Sequence, residues 1–318
     1  MRSAVGVDLG GTKVQAVTLA GSGEVLGRAR ARTPGTGDVG AVVDAIAEAA
    51  GRAADEAGVA LDALAGVGIG APGRVTRDGT VSGAANLPGF GAPVPLAGLV
   101  AEELGVRRVV ADNDVNAGAL GEQRQGAGRG VEDLLAVFAG SGVGGGVVLG
   151  GRVRRGAHGA AGEVGHMVVV RGGDECPCGR RGCLEAYAGR VAMERKARAA
   201  AAAGRPTSLP LQDPDRRITS GVIAAALEQG DALTHELVDG AVAALGAGIA
   251  SAVNLLDLDL VVLGGGLTEK LGGPFADRVR DAALPNLFVR PATLRVVPAA
   301  LGDLAGAIGA ALLALDAA

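Results

Sequence analysis

Twice along the chain, about 130 residues apart, an apolar run stops at a glycine-rich turn and a second apolar run begins. The first instance is 4–7, then Asp8-Leu-Gly-Gly-Thr-Lys13, then 14–19; the second is 134–138, then Ala139-Gly-Ser-Gly-Val-Gly-Gly-Gly146, then 147–149. Two β-type runs around glycine read as a hairpin. A strand, not a helix, therefore follows each turn. That removes the dinucleotide-binding reading of Gly140, Gly142 and Gly145, since G-x-G-x-x-G serves a pyrophosphate only by aiming a helix N-terminus at it. A Walker A loop is excluded as well, because no Gly-Lys dipeptide occurs. Glycines still let backbone N–H groups approach phosphate oxygens, Thr12 adds a hydroxyl, Lys13 adds a charge, and Asp8 at a strand end suits Mg²⁺. Taken alone, the Asp8 turn is equally an ordinary hairpin with an exposed acid and lysine. The similar turn at Gly140-Ser-Gly142 favours two phosphate-holding hairpins that face each other.

Composition narrows the function further. The 30 Lys+Arg and 34 Asp+Glu leave a net charge of −4, so the chain as a whole has no electrostatic footprint for nucleic acid or an anionic membrane. Aromatic residues make up 2%, with no Trp, which argues against base-stacking surfaces. The longest uncharged stretch, 79–101, contains three prolines and five glycines and does not read as a membrane span. Asp8 lies too early for a signal-peptide core, and three cysteines do not make a disulfide framework. The expectation is a cytoplasmic protein.

Periodicity predicts helices over 39–57, near 96–104, after 116 and over 240–255, with an Ala/Leu helix at the end. Buried strands are expected at 65–71, 106–111 and 259–263, the last meeting Gly264-Gly-Gly266. The segment 199–218 reads as a surface excursion. Strands alternating with helices give an α/β fold, with mixed sheets because of the hairpins. The two hairpins hint at related halves without amounting to a repeat.

His166, Cys176, Cys178 and Cys183 form H-x9-C-x-C-x4-C. Three thiolates and an imidazole suit a closed tetrahedral Zn²⁺ site, with Pro177, Gly179 and Gly182 for the tight turns; buried or redox cysteines are the alternative. Such a site is structural, since no coordination position stays open for water. Asn86, Asn113, Asp114, Glu163 and Glu185 supply planar acceptors and donors of the kind that bind polyols, although each taken singly is as well explained as a cap or a solvated surface group.

These stretches together resemble the ROK family (repressors, open reading frames and sugar kinases), and within it the bacterial ATP-dependent glucokinases. The match runs through Asp8-Leu-Gly-Gly-Thr-Lys13, Asn86-Leu-Pro-Gly-Phe90, Asn113-Asp-Val-Asn116, Gly140-Ser-Gly-Val-Gly-Gly-Gly146, Gly162-Glu-Val-Gly-His166, Cys176-Pro-Cys-Gly-Arg-Arg-Gly-Cys-Leu-Glu185 and Gly264-Gly-Gly266. The resemblance implies a two-domain actin-like ATPase fold with a deep cleft, a smaller domain of 1–112 plus 301–318, and a larger one of 113–300 carrying a zinc knuckle. It implies ATP held by Asp8, Gly10, Gly11, Thr12, Lys13, Gly140, Ser141, Gly142, Gly264, Gly265 and Gly266, with Mg²⁺. The sugar falls to Asn86, Asn113, Asp114, Glu163, His166 and Glu185, with Asp114 as general base and His166 serving zinc as well. The implied reaction is phosphorylation of glucose at its 6-hydroxyl. Alternatives are a kinase for fructose, allose, N-acetylglucosamine or N-acetylmannosamine, or a non-catalytic sugar-sensing regulator. A homodimer or homotetramer is implied, with no nucleic-acid or membrane partner. Ser141 keeps the hydroxyl where the family more often has Thr.

Overall fold

The computed structural model describes residues 2–84, 86–213, 216–289 and 293–318. The first part of the chain forms β1 (Ser3–Leu9), β2 (Lys13–Ala20), β3 (Val25–Arg32), α1 (Val39–Glu56), β4 (Val67–Ala71), β5 (Arg74–Val75), β6 (Val81–Ser82), α2 (Leu96–Leu104), β7 (Val109–Asn113) and α3 (Asp114–Gln125). Then follow β8 (Leu134–Ala139), β9 (Val143–Leu149), β10 (Arg152–Val153), α4 (Glu185–Ala188), α5 (Arg190–Ala202), α6 (Ser220–Glu228), α7 (Ala232–Leu256), β11 (Leu260–Gly264), α8 (Gly266–Ala283), β12 (Arg295–Pro298) and α9 (Ala305–Ala317).

The contacts group into two compact units: 1–132 with 146–161 and 303–318, and 133–145 with 162–302. Residues 113–132 thus group with the first sheet, whereas the domain division expected from sequence starts the larger part at 113. The first unit is built on a sheet of order β3-β2-β1-β4-β7. Strand β2 is antiparallel to β1 and β3, whereas β4 and β7 run parallel to β1, so the sheet is mixed as expected. Helix α9 lies directly on the backbone of β1 and β4. A Cβ at Gly6 would come within 2.0 Å of the Ala307 carbonyl oxygen, and one at Gly68 within 1.8 Å of that of Ala310. The crossing of α9 with α3 is as close, since a Cβ at Gly309 would lie 1.7 Å from the Ala117 oxygen. Helix α1 covers the same sheet and starts at an Asp38 cap that accepts from Gly40 N at 2.9 Å.

The second sheet has the order β10-β9-β8-β11-β12, again a hairpin followed by parallel strands. The two halves therefore share a topology that the hairpin motifs only hinted at. Strand β9 starts at Val143, earlier than the apolar run at 147, because Gly144, Gly145 and Gly146 are extended and the missing side chains of Gly145 and Gly146 admit close neighbours. Helix α5 likewise extends to Ala202, into the segment read as surface excursion. Helix α7 starts at Ala232, before the apolar pattern at 240, because Asp231 caps it by accepting from Thr234 N at 2.7 Å. By length and composition α7 could cross a membrane, but 56% of its most apolar stretch is buried, and it packs against α4, α5, α6 and α8 as a core helix.

Candidate active site

In the first unit the residues singled out from sequence gather at the carboxyl ends of parallel strands, where open α/β sheets place ligands. Asp8 pairs in register with Gly70, and Gly70 with Asp112. The hairpin tip is tight: Gly10 N donates to the Lys13 carbonyl at 2.9 Å. Asn86 is drawn against it, since a Cβ at Gly11 would stand 2.5 Å from the Asn86 carbonyl oxygen. Burial pushes the Asp8 carboxyl up to about 6; Lys13 opposes this and Asp303 reinforces it. A Cβ at Gly306 would be 2.8 Å from Asp8 Cγ, so the carboxyl sits against the first turn of α9. Lys13 is not a free cation: its Nζ meets Asp303 Oδ2 at 2.8 Å, which holds the Asp303 carboxyl below its usual range. Thr12 is exposed.

Asn113 caps α3, its Oδ1 accepting from Val115 N at 2.9 Å and Asn116 N at 3.2 Å, while Nδ2 donates to the Gly73 carbonyl at 3.1 Å. Much of its hydrogen-bonding capacity is thus committed to the turn. Asp114 follows as the first helical residue, half-buried, with Oδ1 2.9 Å from Val115 N. The positive end of the helix dipole faces that carboxylate. Beneath both lies Asp112, 4% exposed at its side chain, which accepts from Arg155 Nε at 2.7 Å and Nη2 at 2.6 Å, Asn116 Nδ2 at 3.0 Å and Asn113 N at 2.8 Å. Two Arg155 N–H groups on Oδ2 and two further donors on Oδ1 satisfy this buried carboxylate. Asp112, just ahead of the Asn113-Asp-Val-Asn116 motif, carries no role in the sequence reading. Arg155, 43 positions away, left no local signal.

In the second unit the two glycine turns come together. Strands β8 and β11 are parallel with Phe138 opposite Gly264, and Gly265, at φ 92°, would place a Cβ 2.2 Å from the Ala139 oxygen. Gly266 opens α8. The Gly140 turn closes by Gly140 N to the Gly142 carbonyl at 2.9 Å and is clamped to the start of α5, where Arg190 N and Val191 N each donate at 3.1 Å to Gly140 O and Ser141 O. Arg190 Nη2 also donates to Ser141 Oγ at 2.8 Å. Glu185 accepts from Val143 N at 2.9 Å and approaches Cys176 Sγ at 4.0 Å, so it links this turn to the cysteine knuckle. Glu163 is exposed and precedes the short turn ending at His166.

The ligand atoms of His166, Cys176, Cys178 and Cys183 lie within 4.8 Å of one another. Cys178 and Cys183 sulfurs are 3.7 Å apart and Cys176 Sγ is 3.8 Å from His166 Nδ1. Tetrahedral coordination with bonds of about 2.3 Å requires ligand separations of about 3.8 Å, which these two pairs match, so the four residues fit a Zn²⁺ site. A hydrogen bond from Arg180 lowers the Cys178 thiol to about 6, whereas burial pushes Cys176 up to about 12. A bound metal would hold all three as thiolates.

Two sheets of the same order, each a hairpin followed by parallel strands with glycine turns at the strand ends, define the actin-like ATPase class. Within that class the chain belongs to the ROK family, whose profile matches residues 4–317. A glucokinase of Halalkalibacterium halodurans is 35% identical over 96% of this chain and 92% of its own length. Among solved structures, an ROK hexokinase from Thermus thermophilus is 36% identical with a TM-score of 0.83, covering 99% of this chain and 100% of that one. An ROK glucokinase from Streptomyces griseus, solved with glucose and AMPPNP, is 35% identical with a TM-score of 0.82 and 99% coverage of both chains. The chain is a sugar kinase of this family, a phosphotransferase.

Proposed function

We propose that this protein transfers the γ-phosphoryl group of Mg-ATP to the 6-hydroxyl of glucose. The observation that carries the reading is Asp114, the first residue of α3 beyond the carboxyl end of β7, next to a buried clamp that fixes the helix start. The glucose-bound relative of 35% identity supports the choice of sugar. Phosphoryl transfer asks a protein mainly for positioning and charge stabilisation. Asp114 accepts the proton of the 6-hydroxyl as that oxygen attacks phosphorus, the bond to the β-phosphate oxygen breaks, and ADP leaves. Asn86, Asn113, Glu163, His166 and Glu185 hold the sugar hydroxyls. The backbone of Gly10, Gly11, Gly140, Gly142 and Gly264–266, with Thr12, Ser141 and Lys13, holds the phosphates; Lys13 exchanges Asp303 for phosphate when the nucleotide arrives. Asp8 would hold Mg²⁺, which would offset phosphate charge. His166, Cys176, Cys178 and Cys183 would hold Zn²⁺, which would fix the His166 ring and, through the knuckle, Glu185. The protein works in the cytoplasm as a homo-oligomer.

The test is ADP release with Mg-ATP against glucose, mannose, fructose, allose, N-acetylglucosamine and N-acetylmannosamine. A kcat/KM for glucose at least tenfold above the others is expected. Preference for another sugar would overturn the substrate, and silence across the panel would overturn the kinase reading.

A further inference from the structure

The first unit carries a groove, away from the glycine hairpin, that the kinase reading leaves unused. It consists of two adjoining lobes of about 740 and 820 Å³ that share Arg77, Arg154 and Arg155. Arg124 and Arg152 complete the lining of the second lobe, so five arginines stand against two acids, Asp112 and Asp316. On a chain of net charge −4 this is a local reversal of sign. Both acids are already engaged: Asp316 with Arg124 at 3.2 Å and Asp112 with Arg155 at 2.6 Å. Arg77, Arg152 and Arg154 enter no salt bridge among the described residues, which leaves three guanidinium groups without a carboxylate at the groove. Like charges confined to one concavity repel one another unless an anion joins them, and guanidinium forks match phosphate oxygens bidentately. The volume suits a small molecule.

We propose that this groove is an effector site for a small phosphorylated anion. Its effect on turnover follows from Arg155, which lines both lobes and also clamps Asp112. Asp112 in turn holds Asn113 N and Asn116 Nδ2, the first turn of α3 where Asp114 stands. An anion that draws Arg155 into the groove weakens that clamp and slows turnover without occupying the sugar site.

Two probes of shared chemistry, inorganic pyrophosphate and glucose 6-phosphate, distinguish an inorganic polyanion from a sugar phosphate ester, with glucose as neutral control. Calorimetric titration of the metal-loaded protein should show binding to the wild type that weakens at least tenfold in R77A/R152A. In Lys13→Ala, altered in the hairpin only, it should persist. Turnover of R77A/R152A without added anion should stay within twofold of wild type. The anion bound should inhibit the wild type non-competitively against sugar, and this component should vanish in R77A/R152A. Equal binding by wild type and R77A/R152A, or no binding at millimolar probe, would overturn the site. Binding that leaves turnover untouched would overturn the coupling through Arg155.

Discussion

At the scale of single residues, two carboxyls are set apart by their surroundings. Asp114→Asn removes the proton acceptor and keeps the shape, so kcat should fall at least a thousandfold while glucose affinity stays within about tenfold. Steady-state kinetics and calorimetry check this, and normal turnover would sink the base assignment. Asp8 is held at about 6 against an ordinary 3.8, mainly by burial. The folded state therefore binds the proton more tightly than the unfolded chain, and this contribution to stability is lost as pH rises from about 4 to about 6. Asp8→Asn should consequently raise stability by up to about 3 kcal/mol above pH 6 and by almost nothing near pH 4, at the expense of turnover. Urea titrations of both proteins across that range would show it, and a pH-independent difference would refute the burial account. Asp8 stood out in the sequence because an apolar run stops there, and Asp114 because it falls in a motif shared with the family. The Asp303 partner of Lys13 was not, since 290 positions separate the two.

Elements impose the next constraint, and here small residues decide. Helix α9 lies against β1, β4 and α3 only because Gly6, Gly68, Gly121 and Gly309 lack side chains; a Cβ at Gly121 would sit 2.5 Å from the Ala305 oxygen. Gly309→Val should destabilise the protein by about 3 kcal/mol or more, because backbone on both sides leaves nowhere for the branched side chain. A denaturant midpoint unchanged from wild type would contradict the packing. The knuckle makes a different kind of element, held by its ligands more than by apolar burial. Cys178→Ser should reduce zinc from about one per chain to near none and lower the thermal midpoint, and a strong chelator should do the same to the wild type. Metal analysis with a thermal scan tests both. Helix α1 and the strand starting at Leu134 followed directly from local pattern. Strand β3 did not: three arginines alternate along its length, a pattern accommodated by its place at a sheet edge. The early starts of β9 and α7 escaped for related reasons: one runs through glycines that propensity counts against, and the other depends on a cap.

On the scale of the whole molecule, the chain doubles one plan, hairpin then parallel strands, and places chemistry-bearing residues at the same strand ends in each sheet. The sequence by itself determined the α/β class, both glycine hairpins, the cysteine–histidine cluster and the family. These are written in residues close together, where spacing alone dictates which atoms can meet. Only the tertiary structure decided that Arg155 satisfies buried Asp112, that Lys13 is held by Asp303, that Arg190 grips Ser141 and that five arginines share one groove. Each of these pairs charged or polar groups from separate elements. A surface arginine and a clamping arginine look alike along the chain, and they differ only when burial strips water from the partner and makes the contact strong.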